Sequence, residues 1–465
     1  MPPYISRVLW CCSLRKKQKG KLKILIKNAR LIDPRGEFFS DLLVEGSRIG
    51  GIDEGISCSV PLCIDAEGKC VLPGLLDLHV HLRDLGESYK ETIFTGTLSG
   101  LKGGYTLIVN MPNTVPPLDN LEVLGDWVEK AKKDALVGVK TMVCLTEGRQ
   151  GERLAPLEVL AKQPFVVGAT DDGDPVLRDS VMEEALRVSE GIGLLLAPHC
   201  EDGSNRWMGQ LRSFSNEPYY VERDLKLMRK VGGRVHFQHI SMKESLRLIH
   251  KAKKEGLKVS FEVTPHHLLV SERDLGKVPE AKVNPPLRSP EDVHALQEAL
   301  AQGLVDVIST DHAPHADFEK QKAWEEMPSG VVGLEVALPV LYSRLVLEKV
   351  IGFDTLVRLM CFNPARVLGL KKGYLRVGAM ADLVIFNPYV DWEVDPQRFS
   401  TKGRYTPFKG WKVKGKVEWV FVKGKPYKIE GSVLYDFSEG SEAYMVVPKE
   451  ENPRQRGNHE KHPMV

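Results

Sequence analysis

A chain of 465 residues that is 42% hydrophobic and 27% charged has the balance of an ordinary folded protein, which excludes a wholly disordered or fibrous chain. At roughly 100–200 residues per domain it holds two or three domains, or one large barrel with an attachment. Lys and Arg number 64 against 62 Asp and Glu, a net charge of +2, so no global basic field recruits nucleic acid, and no run of about 18 apolar residues offers a transmembrane helix.

Residues 1–21 (MPPYISRVLWCCSLRKKQKGK) carry no acidic residue, and a short apolar patch at 8–12 precedes a basic run. A secretory signal has the opposite order. The stretch is expected to be a disordered tail or the product of an upstream start codon, with an amphipathic transit peptide as the alternative. Over residues 22–72 the alternation in LKILIKNARLID and the turn signals PRGE and EGSR predict short strands.

From Val71 the texture changes. Apolar runs recur: VLPGLLDLHVHL, GYTLIVNMP, PFVVGATDD, GIGLLLAPH, RVHFQHIS, LKVSFEVTPHH and LVDVISTDHAP. Between several of them lie amphipathic stretches such as DSVMEEALRVSE and EDVHALQEALAQ. This alternation predicts a parallel sheet with helical crossovers, and seven or eight units over about 300 residues favour a closed (β/α)8 barrel across 73–371. After residue 372 strands return in KKGYLRVGAMADLVIFNP and GKVEWVFVKGKPYK. Residues 372–435 are expected to join 22–72 in one small β domain beside the barrel. Residues 436–465 are expected to be a polar, mobile tail. The eight cysteines include no C-x-x-C pair; Cys58, Cys63 and Cys70 lie closest together. They read as reduced thiols of a cytosolic protein.

The polar residues fall at the ends of the apolar runs, where barrel strands emerge at the mouth that collects catalytic groups. In DLHVHLR, His79 and His81 are two apart on a strand, so both imidazoles point the same way. In GATDDGDP, Asp171 and Asp172 are adjacent, so only one points into the mouth; a turn or helix cap is the plain alternative. LLLAPH ends in His199, and RVHFQHIS ends in His239 with His236 inside the strand in a structural role. VISTDHAPH supplies Asp311, followed by His312 and His315. Together these make a nitrogen and oxygen metal site without thiolates, open to water. Six ligands exceed what one tetrahedral zinc needs, and two metals bridged by a carboxylate fit the count. Arg83, Asn113, Asn284 and Arg288 lie on nearby loops and would suit a carboxylated, amide-bearing substrate.

These motifs resemble, in order, those of the class I dihydroorotase family of the amidohydrolase superfamily: PGLLDLHVHLRD, MPNT, TDDG, VTPHHL, KVNPPLR, STDHAPH and GVVGLE. The resemblance covers roughly residues 22–430. Hydantoinases and allantoinases share the paired histidines, but KVNPPLR has the dihydroorotase form. The resemblance implies one or two Zn2+ per chain. His79, His81 and Asp311 would hold one, His199 and His239 the second, and Asp172 would bridge them where relatives often use a carboxylated lysine.

Activated water would attack the ring amide of (S)-dihydroorotate, with Asp311 moving its proton to the leaving nitrogen. The reverse cyclises N-carbamoyl-L-aspartate in de novo pyrimidine (UMP) biosynthesis. His81, Arg83, Asn113 and His315 would bind the substrate carboxylate or its neighbours, Asn284 the ring, and the loop at Ser329 and Gly330 would close with backbone contacts. A cytoplasmic homo-oligomer is implied, with aspartate transcarbamoylase as a candidate partner.

There are departures from the family pattern. HLRDLGES replaces HLREPG, Pro328-Ser329-Gly330 replaces Pro-Phe-Gly, and the stretch between His199 and His239 is short. Two other readings compete. A related amidase acting on hydantoin, dihydropyrimidine or allantoin would leave Arg83 without a purpose. A non-catalytic homologue scaffolding aspartate transcarbamoylase typically loses metal ligands, whereas this chain keeps all six.

Overall fold

The computed structural model describes residues 22–201, 217–431, 433–437 and 444–445. The expectations for residues 1–21, for the short stretch between His199 and His239 (202–216), and for most of 436–465 lie outside the described residues.

Eight strands form one parallel sheet in sequential order. They are β1 (Leu75–Val80), β2 (Tyr105–Asn110), β3 (Gly138–Val143), β4 (Val166–Ala169), β5 (Leu195–Leu196), β6 (Arg234–Phe237), β7 (Val259–Val263) and β8 (Val307–Ile308). Every residue of β1 and β2 is buried, as strands covered on both faces must be. The crossover helices bury one stripe each. The helix Leu121–Asp134 buries Leu124, Trp127 and Ala131, and Asn120 caps it by accepting from the Val123 N–H. The helix Asp179–Ile192 stops at Gly193, whose φ of 72° is the left-handed cap that glycine adopts without strain.

The sheet closes on itself into a (β/α)8 barrel, with a thin seam between β8 and β1. There Val80 and His312 form an isolated bridge, and the His81 N–H donates to the His312 carbonyl at 2.9 Å. The buried Asp77 carboxylate ties the seam as well. It accepts from the His79 N–H at 3.0 Å and the Thr310 N–H at 3.1 Å.

Beside the barrel lies a ten-stranded sheet built from both ends of the chain. Its joint is Cys70–Pro73, which runs parallel to Lys23–Asp33 on one side and antiparallel to Leu383–Glu393 on the other. Ile24, Ile26, Leu31, Leu42, Leu383, Ile385, Trp419 and Phe421 fill its core, supplied by alternate positions of the strands. Two features depart from the sequence expectation. Tyr444–Met445 pairs antiparallel with Val433–Asp436, so strand pairing runs past residue 435 into the expected tail.

Residues 394–411 also leave the sheet as a strap over the barrel. Val394, Phe399 and Phe408 pack with Val331, Val332 and Val336, and the Val332 N–H donates to the Tyr405 carbonyl at 2.8 Å. Gly403 sits so close to Pro314 and Val332 that a Cβ there would meet them at 2.9 and 2.7 Å. A polar strap flanked by strands gives no periodic signal, so the expected division at residue 372 puts it with the wrong neighbour. No helix among the described residues is long and apolar enough to cross a membrane. Cys58, Cys63 and Cys70 form no disulfide.

Candidate metal centre at the barrel mouth

The ends of β1, β4, β5, β6 and β8 bring His79, His81, Asp172, His199, His239 and Asp311 together, all buried. Asp172 is the hub. Its Oδ1 lies 3.3 Å from His79 Nε2 and 3.6 Å from both His199 Nδ1 and His239 Nε2, and its Oδ2 lies 3.3 Å from His81 Nε2. Asp311 Oδ1 lies 3.4 Å from His79 Nε2 and 3.2 Å from His81 Nε2.

Two triads present ligand atoms all within 4.8 Å of one another: His79, Asp172 and His239, and His79, His81 and Asp311. The alternation of the strand end separates the two aspartates. Asp171 turns the other way and accepts from the Leu145 and Thr146 N–H groups and the Thr146 hydroxyl.

Supporting hydrogen bonds orient the imidazoles. His79 Nδ1 donates to Glu262 Oε1 at 2.7 Å, and His81 Nδ1 donates to Asn113 Oδ1 at 2.8 Å. Each arrangement leaves Nε2 aimed at the two aspartates. Asn284 Nδ2 donates to His199 Nε2 at 3.1 Å. The backbone is strained here: Arg83, His239 and Asp311 have φ of 60°, 30° and 48°. Each such residue costs about 1–3 kcal/mol, which the surrounding packing must offset.

The electrostatics ask for a cation. Burial pulls the His79 imidazole down, but Asp172 and Asp311 override it and hold it well above its usual value. Burial pushes the carboxyls of Asp172 and Asp311 up, yet His79 and its neighbours hold both below the usual carboxylate range. Burial lowers His81 and His239. The mouth therefore holds two buried anions that, without a metal cation, an imidazolium at His79 answers. His79 Nε2 is buried without a hydrogen bond, and His199 Nδ1 and His239 Nε2 converge to 2.8 Å beside the same carboxylate oxygen. Converging nitrogen and oxygen donors without thiolates fit a divalent metal of the zinc class.

The expected substrate handles fall around the same mouth. The Arg83 guanidinium is buried, with Nε donating to the Pro314 carbonyl at 3.3 Å and Nη2 3.4 Å from His315 Nε2. His315 Nε2 donates to the Ser329 carbonyl at 2.8 Å, and the Gly330 N–H donates to the Lys282 carbonyl at 2.9 Å. Arg288 departs from the expectation. Its Nη2 pairs with Glu201 at 2.6 Å and its Nε donates to the Ser241 hydroxyl at 2.9 Å, so it is tied into the wall. A buried guanidinium takes the carboxylate that neutralises it best, and Glu201 is at hand.

Three polar residues that matter here escaped the sequence reading. Glu262, inside β7, links His79 to His236, whose Nε2 lies 3.2 Å from Glu262 Oε2. His236 and His79 hold the Glu262 carboxyl well below its usual range against the push of burial. Gln238 lies with Nε2 3.4 Å from His79 Nδ1, and Asp77 ties the seam below. The available signal was a charged residue inside an otherwise apolar barrel strand, as in SFEV and LLDLHV.

Residues 70–427 match the amidohydrolase family. The chain is 40% identical over 420 residues to a dihydroorotase of Caldanaerobacter subterraneus subsp. tengcongensis, covering 87% of this chain and 97% of that protein. A dihydroorotase of Aquifex aeolicus is also 40% identical, over 423 residues, 87% of this chain and 99% of that protein. Among solved structures, the L-hydantoinase (dihydropyrimidinase) of Arthrobacter aurescens superposes with a TM-score of 0.79 at 27% identity, covering 88% of this chain and 96% of that one.

Proposed function

The chain belongs to the amidohydrolase family, as a hydrolase of cyclic amides of the dihydroorotase type, and on that premise we propose that it is a zinc-dependent dihydroorotase. It would open the ring of (S)-dihydroorotate and, in reverse, cyclise N-carbamoyl-L-aspartate with loss of water, as a step of pyrimidine synthesis. The observation that carries the reading is one mouth holding six converging ligand residues, Asp172 in contact with four histidines among them, together with the buried guanidinium of Arg83.

His79, His81 and Asp311 would hold one zinc, and His199 and His239 a second, with Asp172 between them. Bound zinc supplies a Lewis acid and lowers the pKa of water toward neutrality. The chain's own groups do the rest. Asp311, kept ionised by His79 and His81, takes the proton of the attacking water and returns it to the leaving ring nitrogen. Arg83 answers the substrate carboxylate with a charge that the Pro314 carbonyl holds in place. Asn113 keeps His81 in the tautomer that frees Nε2, and Asn284 holds the far side of the His199 ring at Nε2. The loop at Ser329 and Gly330, its carbonyls already held by His315 and Lys320, would lie over the ring.

A second reading has one observation in its favour, the likeness to hydantoinase structures. A neutral hydantoin or dihydropyrimidine ring lacks the carboxylate that Arg83 answers. The deciding experiment measures zinc content and turnover of dihydroorotate and of hydantoin on the same purified protein. Zinc at about one or two per chain with dihydroorotate turnover supports the proposal. Zinc with hydantoin turnover alone replaces it by the second reading.

A further inference from the structure

Lys320 ends the short helix Asp317–Lys320, five residues after His315. It is among the largest fully buried side chains, with 1% of its surface exposed. A lysine rarely goes under unless its ammonium is matched by acceptors. Here Nζ donates to the Pro328 carbonyl at 3.2 Å and to the Gly330 carbonyl at 2.9 Å. The carbonyl between them, that of Ser329, accepts from His315 Nε2. Three successive carbonyls of the 328–330 loop are thus held by two side chains of one short segment. The Gly330 N–H is taken by the Lys282 carbonyl, so the loop is pinned from both sides of its backbone. The Tyr405 ring of the strap, 5.8 Å from Nζ, closes the space over the ammonium.

We propose that Lys320 is a positioning residue for substrate binding: its buried ammonium fixes the Pro328–Gly330 loop in the shape that covers the ring. This rests on the dihydroorotase reading, which places Ser329 and Gly330 against the substrate. Lys320 touches neither substrate nor metal. Its effect therefore falls on KM, in both reaction directions, and leaves the chemical step and the metal content close to normal. The charged groups around it are Lys282, Glu280 and Glu319. Burial first, and then Lys282, pull the ammonium down to about 8 against the opposing carboxylates. It is charged at neutral pH and loses its proton within an accessible range.

The test compares the wild type with Lys320→Met and Lys320→Gln, measuring kcat and KM for dihydroorotate and N-carbamoyl-L-aspartate, zinc content and thermal midpoint. In Lys320→Met, KM should rise about tenfold or more, because hydrogen bonds from a charged donor are lost, with kcat within about threefold. Lys320→Gln, which keeps an N–H donor, should fall between. The wild type alone gives a second readout should the variants not fold: KM should climb about threefold or more between pH 7 and 9.5, because charge-assisted bonds are about twice as strong as neutral ones. A KM unchanged in folded Lys320→Met, or flat across that pH range, overturns the inference. So does a joint fall of kcat, zinc and thermal midpoint, the mark of a merely structural lysine. Failure of the wild type to turn over dihydroorotate sinks the functional reading itself, and shows before any variant is made.

Discussion

The two sides of the metal centre are built to different standards. On the β1 and β8 side each imidazole is backed. His79 leans on Glu262, itself held by His236, and His81 leans on Asn113. On the β4 to β6 side the backing is thinner. His239 Nδ1 has no partner among the described residues, and His199 has only the loop amide of Asn284. Asp172 is shared by both. Ligands held by buried partners bind metal with less reorganisation, so on the proposed two-zinc reading one half of the centre would be set before metal arrives and the other completed by it. The difference teaches that two metals bound here would not load as a unit.

Substitutions can break or sharpen that contrast. Asp311→Asn touches the proton carrier on the well-backed side and should lower kcat by about 10²–10⁴-fold with the fold unchanged by circular dichroism. Near-normal turnover would remove Asp311 from its role. His79→Ala should empty the better-backed half and, with it, the half that would load after it, whereas His239→Ala should keep about one zinc per chain. Equal zinc in the two variants, by elemental analysis, breaks the comparison.

Glu262→Gln should weaken the tighter zinc by about 10–100-fold in competition with a chromophoric chelator, the usual cost of losing a partner behind a ligand. Asn284→Ala, which loosens one neutral amide contact, should weaken only the looser zinc, and by about tenfold or less. A larger effect from Asn284→Ala than from Glu262→Gln would invert the assignment.

The barrel was legible because a parallel strand covered on both faces must be apolar end to end, so its last polar residue marks the mouth. His199, His239 and Asp311 were read from that rule, His79 and His81 from their spacing of two on one strand face, and Asp172 was separated from Asp171 by the resemblance. Glu262 and Asp77 were passed over because they sit inside the runs rather than at their ends. Their partners, His236 and Thr310, are set by register between strands, which a linear pattern does not carry. The strap was missed for a related reason. Its contacts with Glu91, Pro314 and Val332 join residues far apart in the chain, and its own composition has no period. Arg288 was misjudged because Glu201, the carboxylate that claims it, is a neighbour only in space.

The strap also fixes when, in the life of a molecule, the site can exist. Its Thr401 hydroxyl donates to the buried carboxylate of Glu91, which accepts from His312, the residue that bridges the barrel seam next to Asp311. Cys70–Pro73, just ahead of the first barrel strand, meanwhile waits for Leu383–Phe386 as its partner. Both come from residues well after the eighth barrel strand. A chain made only as far as the eighth barrel strand still lacks the strap behind His312 and the partner strand of Cys70–Pro73. Such long-range closures fold late and slowly. The mouth is thus complete only once residues 383–411 have docked against strands made more than 300 residues earlier.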